Sequence, residues 1–361
     1  MCDVPITASS ITVQANDLDV ARHVPTARSK FHHRDFLPLR HSQTRSTPVL
    51  RSFFIALSQN RGLRSFSEKS SLGRKVSHRF VAGMTVEEAL AACTALNREG
   101  IAVSLDSLGE SVTTAAEAHA SAAIYHQLLD AIEQRHLNAN VSVKLTQMGM
   151  DFDPALAESI VSDMVEHAVK ADSFVRVDME GTNLTEATLQ MVERLHARPN
   201  FFGRVGAVLQ AYLFRTEADT ERLLTQGIRI RLCKGAYKEG PEHAFPLKSE
   251  TDANYIKRMT RMVTYIHPQL NRPVFCGIAT HDERIVDTLV RFVQQQGVLK
   301  SSFEFQMLYG IRRDLQRQLV KQGFGVRVYL PFGAEWYPYF MRRLAERPAN
   351  VLFLAKNFFK S

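Results

Sequence analysis

From residue 101 onward the sequence alternates eight short apolar segments with amphipathic stretches of helical period, and this alternation restricts the fold more than any other feature. The segments that read as strands are 101–106, 140–146, 173–178, 205–211, 228–234, 273–279, 302–307 and 326–331. Between them the helical pattern covers 154–171, 184–197, 217–226, 249–267, 282–296, 311–322 and 335–347. A further helix starts at the capping-box-like Thr85-Val86-Glu87-Glu88 and stops at Gly100. Strand starts lie 23 to 45 residues apart, close to the spacing of about 31 residues when about 250 form eight β/α units. Strands of a parallel sheet covered on both faces should be nearly continuously apolar. The polar exceptions (Lys144, Asp178, Gln210, Arg231, Lys234, Thr280, Gln306 and Tyr329) fall late in their strands or just after them. In a (βα)8 barrel that end carries the active site. A doubly wound sheet would usually bring a G-x-G-x-x-G after an early strand, and the sequence has none. The expected class is therefore α/β, a (βα)8 barrel.

With 361 residues, 45% hydrophobic and 23% charged, the chain has ample material for one such domain. No apolar run approaches the roughly 18 residues of a membrane span. Four scattered cysteines without a C-x-x-C exclude a local zinc ribbon or redox dithiol and point to a reducing compartment. The net charge of +8 is unevenly placed. Residues 21–80 hold ten Arg and three Lys against Asp35 and Glu68, whereas residues 81–361 hold 32 basic and 32 acidic side chains. A basic pI argues for nucleic acid or a membrane surface as partner, but here the argument touches only the first 80 residues. The neutral remainder of the chain speaks against a nucleic-acid binder. Three units are expected: a basic, low-order leader over 1–49, an N-terminal helical segment over 50–100, and the barrel with a C-terminal helix over 101–361. After residue 20 the leader is Arg- and Ser-rich like a transit peptide, yet the three Asp before it argue for a plain solvated tail.

Several segments bear chemistry. Lys144 inside Val141-Ser142-Val143-Lys144-Leu145-Thr146 is costly to bury unpaired, so it is a structural lysine facing a carboxylate, an anion ligand or a Schiff-base nucleophile. Asp178, on the next strand, is one available partner. Arg229 and Arg231 share a face opposite Ile230, and Lys234-Gly235-Ala236 is a small loop that lets backbone N–H groups approach a phosphate or the polar edge of a flavin. Thr280-His281-Asp282 closes a strand and opens a helix, serving either as a cap or as an anion site. The single Trp, three Tyr and the doublet Arg342-Arg343 crowd into 329–343. The doublet can clamp a carboxylate or, more ordinarily, pair Arg342 with Glu346 on the surface. No H-E-x-x-H, G-x-S-x-G or P-loop is present, which removes support for zinc protease, α/β-hydrolase and Walker-type NTPase readings. A Schiff-base aldolase using Lys144 or Lys234 remains an alternative on this barrel.

Taken together, seven segments resemble the monofunctional bacterial branch of the proline dehydrogenase family, in order and over more than 300 residues from about Arg51. They are Ser142–Gln147, Val175–Glu180, Leu209–Leu213, Arg231–Tyr237, Ala279–His281, Phe303–Gly310, and Trp336–Tyr339 running on to Arg342-Arg343. The resemblance implies a distorted TIM-type (βα)8 barrel with FAD over the strand C-termini. It implies hydride transfer from L-proline to flavin N5, giving Δ1-pyrroline-5-carboxylate, as the first step of proline catabolism to glutamate. Electrons then go to a quinone, and the product to a separate pyrroline-5-carboxylate dehydrogenase. By the same resemblance Asp178 and Arg231 are the catalytic pair, and Lys144, Arg342 and Arg343 hold the substrate carboxylate. Tyr329 and Tyr339 wall the ring, and Glu346 holds an arginine. Met179, Gln210, Lys234, Gly235, Ala236, Thr280 and His281 match positions that hold FAD. A cytoplasmic location with transient contact at the inner membrane face is expected.

Overall fold

The structure, a computed structural model, describes residues 79–109, 112–237, 239–337 and 339. The expected leader, most of the helical segment before residue 79, and the doublet Arg342-Arg343 with Glu346 lie outside the described residues.

Eight parallel strands close into a barrel in the order β1-β10-β9-β8-β5-β4-β3-β2. They are β1 (Ala102–Ser107), β2 (Ala139–Val143), β3 (Val175–Val177), β4 (Val205–Gln210), β5 (Arg229–Cys233), β8 (Cys276–Ala279), β9 (Phe303–Leu308) and β10 (Gly325–Phe332). A short antiparallel hairpin, β6 (Ile266–His267) and β7 (Arg272–Pro273), precedes β8. Each expected strand matches an observed one. Helix α1 (Val86–Arg98) precedes the barrel. Then α2 (Ala115–Gln134), α3 (Pro154–Lys170), α4 (Thr182–His196), α5 (Thr216–Thr225), α6 (Lys248–Thr264), α7 (Glu283–Gln296) and α8 (Arg313–Lys321) connect successive barrel strands. The expected helix over 249–267 ends at Thr264, where Tyr265 turns extended (ψ 121°) to feed the hairpin. Of the helix expected over 335–347, Trp336, Tyr337 and Tyr339 are described as helical. Helix α2 was not among the expected elements, although Thr114 and Glu117 form the same reciprocal capping box as Thr85 and Glu88.

One expectation needs correction. The strands are not apolar throughout but alternate with period two. Val103, Leu105, Val141, Val143, Val175, Val177, Ile230, Leu232 and Ile278 point outward and form the core beneath the helices. The opposite positions point into the barrel and are largely polar: Ser104 and Asp106 on β1, Asn140 and Ser142 on β2, Arg176 on β3, Arg231 on β5, Glu304 and Gln306 on β9, Arg327 on β10. Most positions on both faces are buried, with Arg327 and Tyr329 of β10 partly so, but only the outer face is apolar. Long polar side chains fill the narrow interior by hydrogen-bonding one another, as buried polar groups must. Arg176, for instance, donates to the carbonyls of Ala207 (2.9 Å) and Arg229 (2.6 Å). It reaches Arg229 across β4 because Gly206 has no side chain in its path; a Cβ there would stand 2.9 Å from Arg176 Nη1 and 2.3 Å from the Arg229 oxygen.

Candidate active site

At the C-terminal end of the barrel, β1, β2, β3, β5 and β10 bring their inward residues to one place. Lys144 follows β2 and is the N-cap position of a single 3-10 turn, Leu145–Met148. Its ammonium donates to Asp106 Oδ1 (3.1 Å) and Oδ2 (3.2 Å) and to the Tyr329 hydroxyl (3.2 Å), and lies 3.7 Å from Asp178 Oδ2. Asp178 Oδ1 accepts from Arg231 Nη1 (2.9 Å) and Ser142 Oγ (2.7 Å), and its Oδ2 accepts from Tyr329 OH (2.8 Å). Arg231 also donates to Ser142 Oγ and Ser104 Oγ, each at 3.1 Å, while its guanidinium carbon stands 5.2 Å from the Tyr329 ring centroid. Lys144, Asp178, Arg231 and Tyr329, selected from four separate segments, thus form one hydrogen-bonded constellation.

Sequence reasoning missed a fifth member. Asp106 is fully buried and is the nearest carboxylate to Lys144, a role the sequence reading offered to Asp178. The signal was present, since Asp106 stands late in its strand like Asp178. The loops behind the constellation are tied down in turn. Gln147 Nε2 donates to the Ser107 carbonyl (3.0 Å), and Tyr125 OH donates to Gln147 Oε1 (3.1 Å). Thr146 N–H and Oγ1 donate to the two oxygens of Glu180 at 3.1 and 2.7 Å.

The two aspartates differ in proton affinity. Burial is the largest influence on Asp106 and raises its carboxyl; Lys144 pulls it back and the charge of Asp178 adds to the rise. Burial would also raise Asp178, but Arg231 and then Lys144 hold it below the usual carboxylate range. Burial and the two aspartates push the Tyr329 hydroxyl well above its ordinary value, so it is a neutral donor.

A second group lies beyond β4, β5 and β8. Gln210 Nε2 donates to the Glu180 carbonyl (3.0 Å). Lys234 pairs with Asp252 (2.6 Å) and Asp282 (2.8 Å), and Asp282 N–H donates to Thr280 Oγ1 (3.0 Å), which joins Lys234 to Thr280. Leu308 N–H donates to His281 Nε2 (2.8 Å), which sets the imidazole proton on Nδ1. Gly235 takes φ +116°, a conformation that favours glycine, and a Cβ there would stand 2.0 Å from the Tyr212 ring. Gly235 and Ala236 are exposed, Met179 is buried in the apolar core, and Tyr339 is buried. The exposed loop beside Lys234 and Lys248, with hydroxyl and imidazole groups at the end of β8, is a polar set of a kind that fits the phosphates and polar ring edge of a dinucleotide such as FAD.

Strand C-termini that converge charged side chains inside a closed parallel barrel define a (βα)8-barrel enzyme. The chain belongs to the proline dehydrogenase family: the family model described as "Proline dehydrogenase" matches residues 89–356. It is accordingly an oxidoreductase of proline metabolism. Proline dehydrogenase 1 of Bacillus subtilis (strain 168) is 38% identical over 312 residues, covering 86% of this chain and 100% of the relative. The proline dehydrogenase of Deinococcus radiodurans is 40% identical over 290 residues, 79% and 90% of the two chains. Among solved structures, proline utilization A from Bdellovibrio bacteriovorus, inactivated by N-propargylglycine, shares the fold with a TM-score of 0.71 at 23% identity, covering 82% of this chain and 36% of the other.

Proposed function

We propose that this protein oxidises L-proline to Δ1-pyrroline-5-carboxylate with FAD as cofactor, and that its electrons pass to a quinone. The observation that carries the reading is the convergence of Lys144, Asp178, Arg231 and Tyr329 at the C-terminal end of a barrel of this family. Bound FAD would supply a flat acceptor for the hydride, which carries both electrons of the oxidation. It would be held by Met179, Gln210, Lys234, Gly235, Ala236, Thr280 and His281.

The chain's own part is binding, orientation and charge. Proline's nitrogen must be free of its extra proton before its lone pair can form the C=N bond as hydride leaves the adjacent ring carbon. Lys144 with Arg342 and Arg343 clamps the substrate carboxylate, and Tyr329 with Tyr339 walls the ring, so that the carbon to be oxidised is held in a near-attack position. Asp178, kept ionised by Arg231, neutralises that guanidinium and fixes its direction. Asp106, whose carboxyl is raised, is the first group of the constellation to take a proton as pH falls.

The leader over 1–49 stands outside this chemistry. Hand-off to a separate pyrroline-5-carboxylate dehydrogenase, and a cytoplasmic rather than mitochondrial location with peripheral contact at the inner membrane face, complete the reading. Among the described residues no helix is long and apolar enough to cross a membrane. The test is the visible spectrum of the purified protein before and after anaerobic L-proline. Flavin bands that bleach with L-proline but not with D-proline are expected. A colourless protein that FAD cannot reconstitute would overturn the reading.

A further inference from the structure

Arg231 stands on β5 and Gln306 on β9, with β8 between them. The β8 residue level with Arg231 is Gly277, and a Cβ there would stand 2.4 Å from Gln306 Nε2. The absent side chain is the gap through which Gln306 crosses β8, and its Oε1 accepts from Arg231 Nε at 2.5 Å. On the far side Gln306 Nε2 donates to Glu304 Oε1 (2.6 Å), which also accepts from Arg327 Nε (2.6 Å). Arg327 Nη1 donates to Asn140 Oδ1 (2.9 Å), Ser104 Oγ donates to the same oxygen (2.7 Å), and Arg231 Nη2 returns to Ser104 Oγ (3.1 Å). The hydrogen bonds therefore close a ring, buried within the barrel.

A guanidinium is planar with five N–H donors. Here Nη1 is committed to Asp178 and Ser142, Nη2 to Ser104, and Nε to Gln306. The Nε contact is the one nearest the Cδ–Nε bond about which the plane would otherwise turn. Its acceptor is set by Glu304, because the amide group of Gln306 can offer its oxygen to Arg231 only while its nitrogen faces a carboxylate. We propose that Gln306, crossing β8 over Gly277 and braced by Glu304, is a positioning residue that sets the Arg231 guanidinium beside Asp178 for substrate oxidation. The inference rests on the reading of Arg231 as a catalytic residue given above.

Three variants test it. Q306M keeps the length but offers no acceptor. The exchange E304Q/Q306E keeps the net charge and every bond of this stretch. The carboxylate then at position 306 would accept from Arg231 and from the amide then at position 304, whose oxygen would accept from Arg327. R231K serves as the control. Each is followed by thermal melting, by kcat and KM for L-proline with a dye acceptor, and by the Arg231 Nε–H signal in protein labelled with nitrogen-15 arginine, assigned by its loss in R231K. In Q306M the protected Nε–H signal should disappear and kcat fall about 10- to 100-fold, with KM changed less than about threefold. The exchange variant should recover both. Wild-type kcat in Q306M despite a lost signal, while R231K is inactive, overturns the positioning role and leaves the catalytic reading of Arg231 standing. A fully active R231K overturns both. If Q306M does not melt cooperatively, G277A carries the same test, since its Cβ occupies the crossing.

Discussion

Lys144 faces two carboxylates that respond to acid in opposite senses. Asp178 has a depressed pKa in the folded protein, so the stability it contributes is complete above the ordinary value of about 3.9 and is lost as pH falls below it. Asp106 has a raised pKa, so its ionisation destabilises the fold as pH rises through that higher value. Urea midpoints measured across the acid range should therefore fall less steeply with decreasing pH in D178N than in wild type, and more steeply in D106N. At neutral pH D106N stands in for the protonated carboxyl that burial favours, so its urea midpoint should match or exceed that of wild type; a large fall would mean that the ion pair with Lys144 outweighs the burial. At this scale the sequence was legible where chemistry interrupts an apolar run, as at Lys144, Asp178 and Arg231. Asp106 escaped although it ends its expected strand as Asp178 does, because the pairing of β1 with β2 that brings it to Lys144 is not written in either segment. Glu304 lay in the expected strand 302–307, where only Gln306 stood out, since the role of Glu304 depends on residues of other strands.

Among the elements, helix ends and strand crossings carry the sharper predictions. T114A deletes the cap of α2 and should cost about 1 kcal/mol. G206A should cost several-fold more, because the new Cβ meets the Arg229 carbonyl at 2.3 Å, which is backbone and cannot swing aside. Equal urea midpoints for the two variants would refute that ranking. A third contact joins α2 to α3: His126 Nδ1 and His167 Nδ1 are 2.8 Å apart, with Asp130 bonded to His167 Nε2 at 2.9 Å. The contact is a hydrogen bond between the two rings. Burial, and then the His167 charge, hold His126 below its ordinary value, with Asp163 and Asp130 opposing. Its contribution is thus present above the unfolded value of about 6.5 and lost as pH falls through the folded one. H126Q should flatten the stability curve just below that pH. Period and caps were enough to place the strands and most helices. The helix–hairpin switch at Thr264 was not, because Tyr265 leaves the helix for a pairing between residues that no local pattern announces.

For the whole molecule, the uneven charge makes a simple forecast. The neutral portion from residue 81 contains the barrel, and the family match begins at residue 89. A chain beginning at residue 50 should therefore keep proline turnover, whereas binding to anionic liposomes in a flotation assay, if the full chain shows it, should weaken. Loss of turnover on truncation would give the leader a part in catalysis. The barrel was legible as a whole because its repeat is regular. Its polar interior was not, because each inward residue looks like an isolated exception until the cylinder closes. That interior has a bearing on assembly. A strand that slipped by one residue would turn its inward set outward, driving Arg176, Arg231 or Glu304 into the hydrocarbon layer beneath the helices. Misregistered barrels are thus rejected by uncompensated charge rather than by poor shape. Arg176→Met should relax that proofreading, so that refolded protein contains a larger fraction with labile amide hydrogens than wild type.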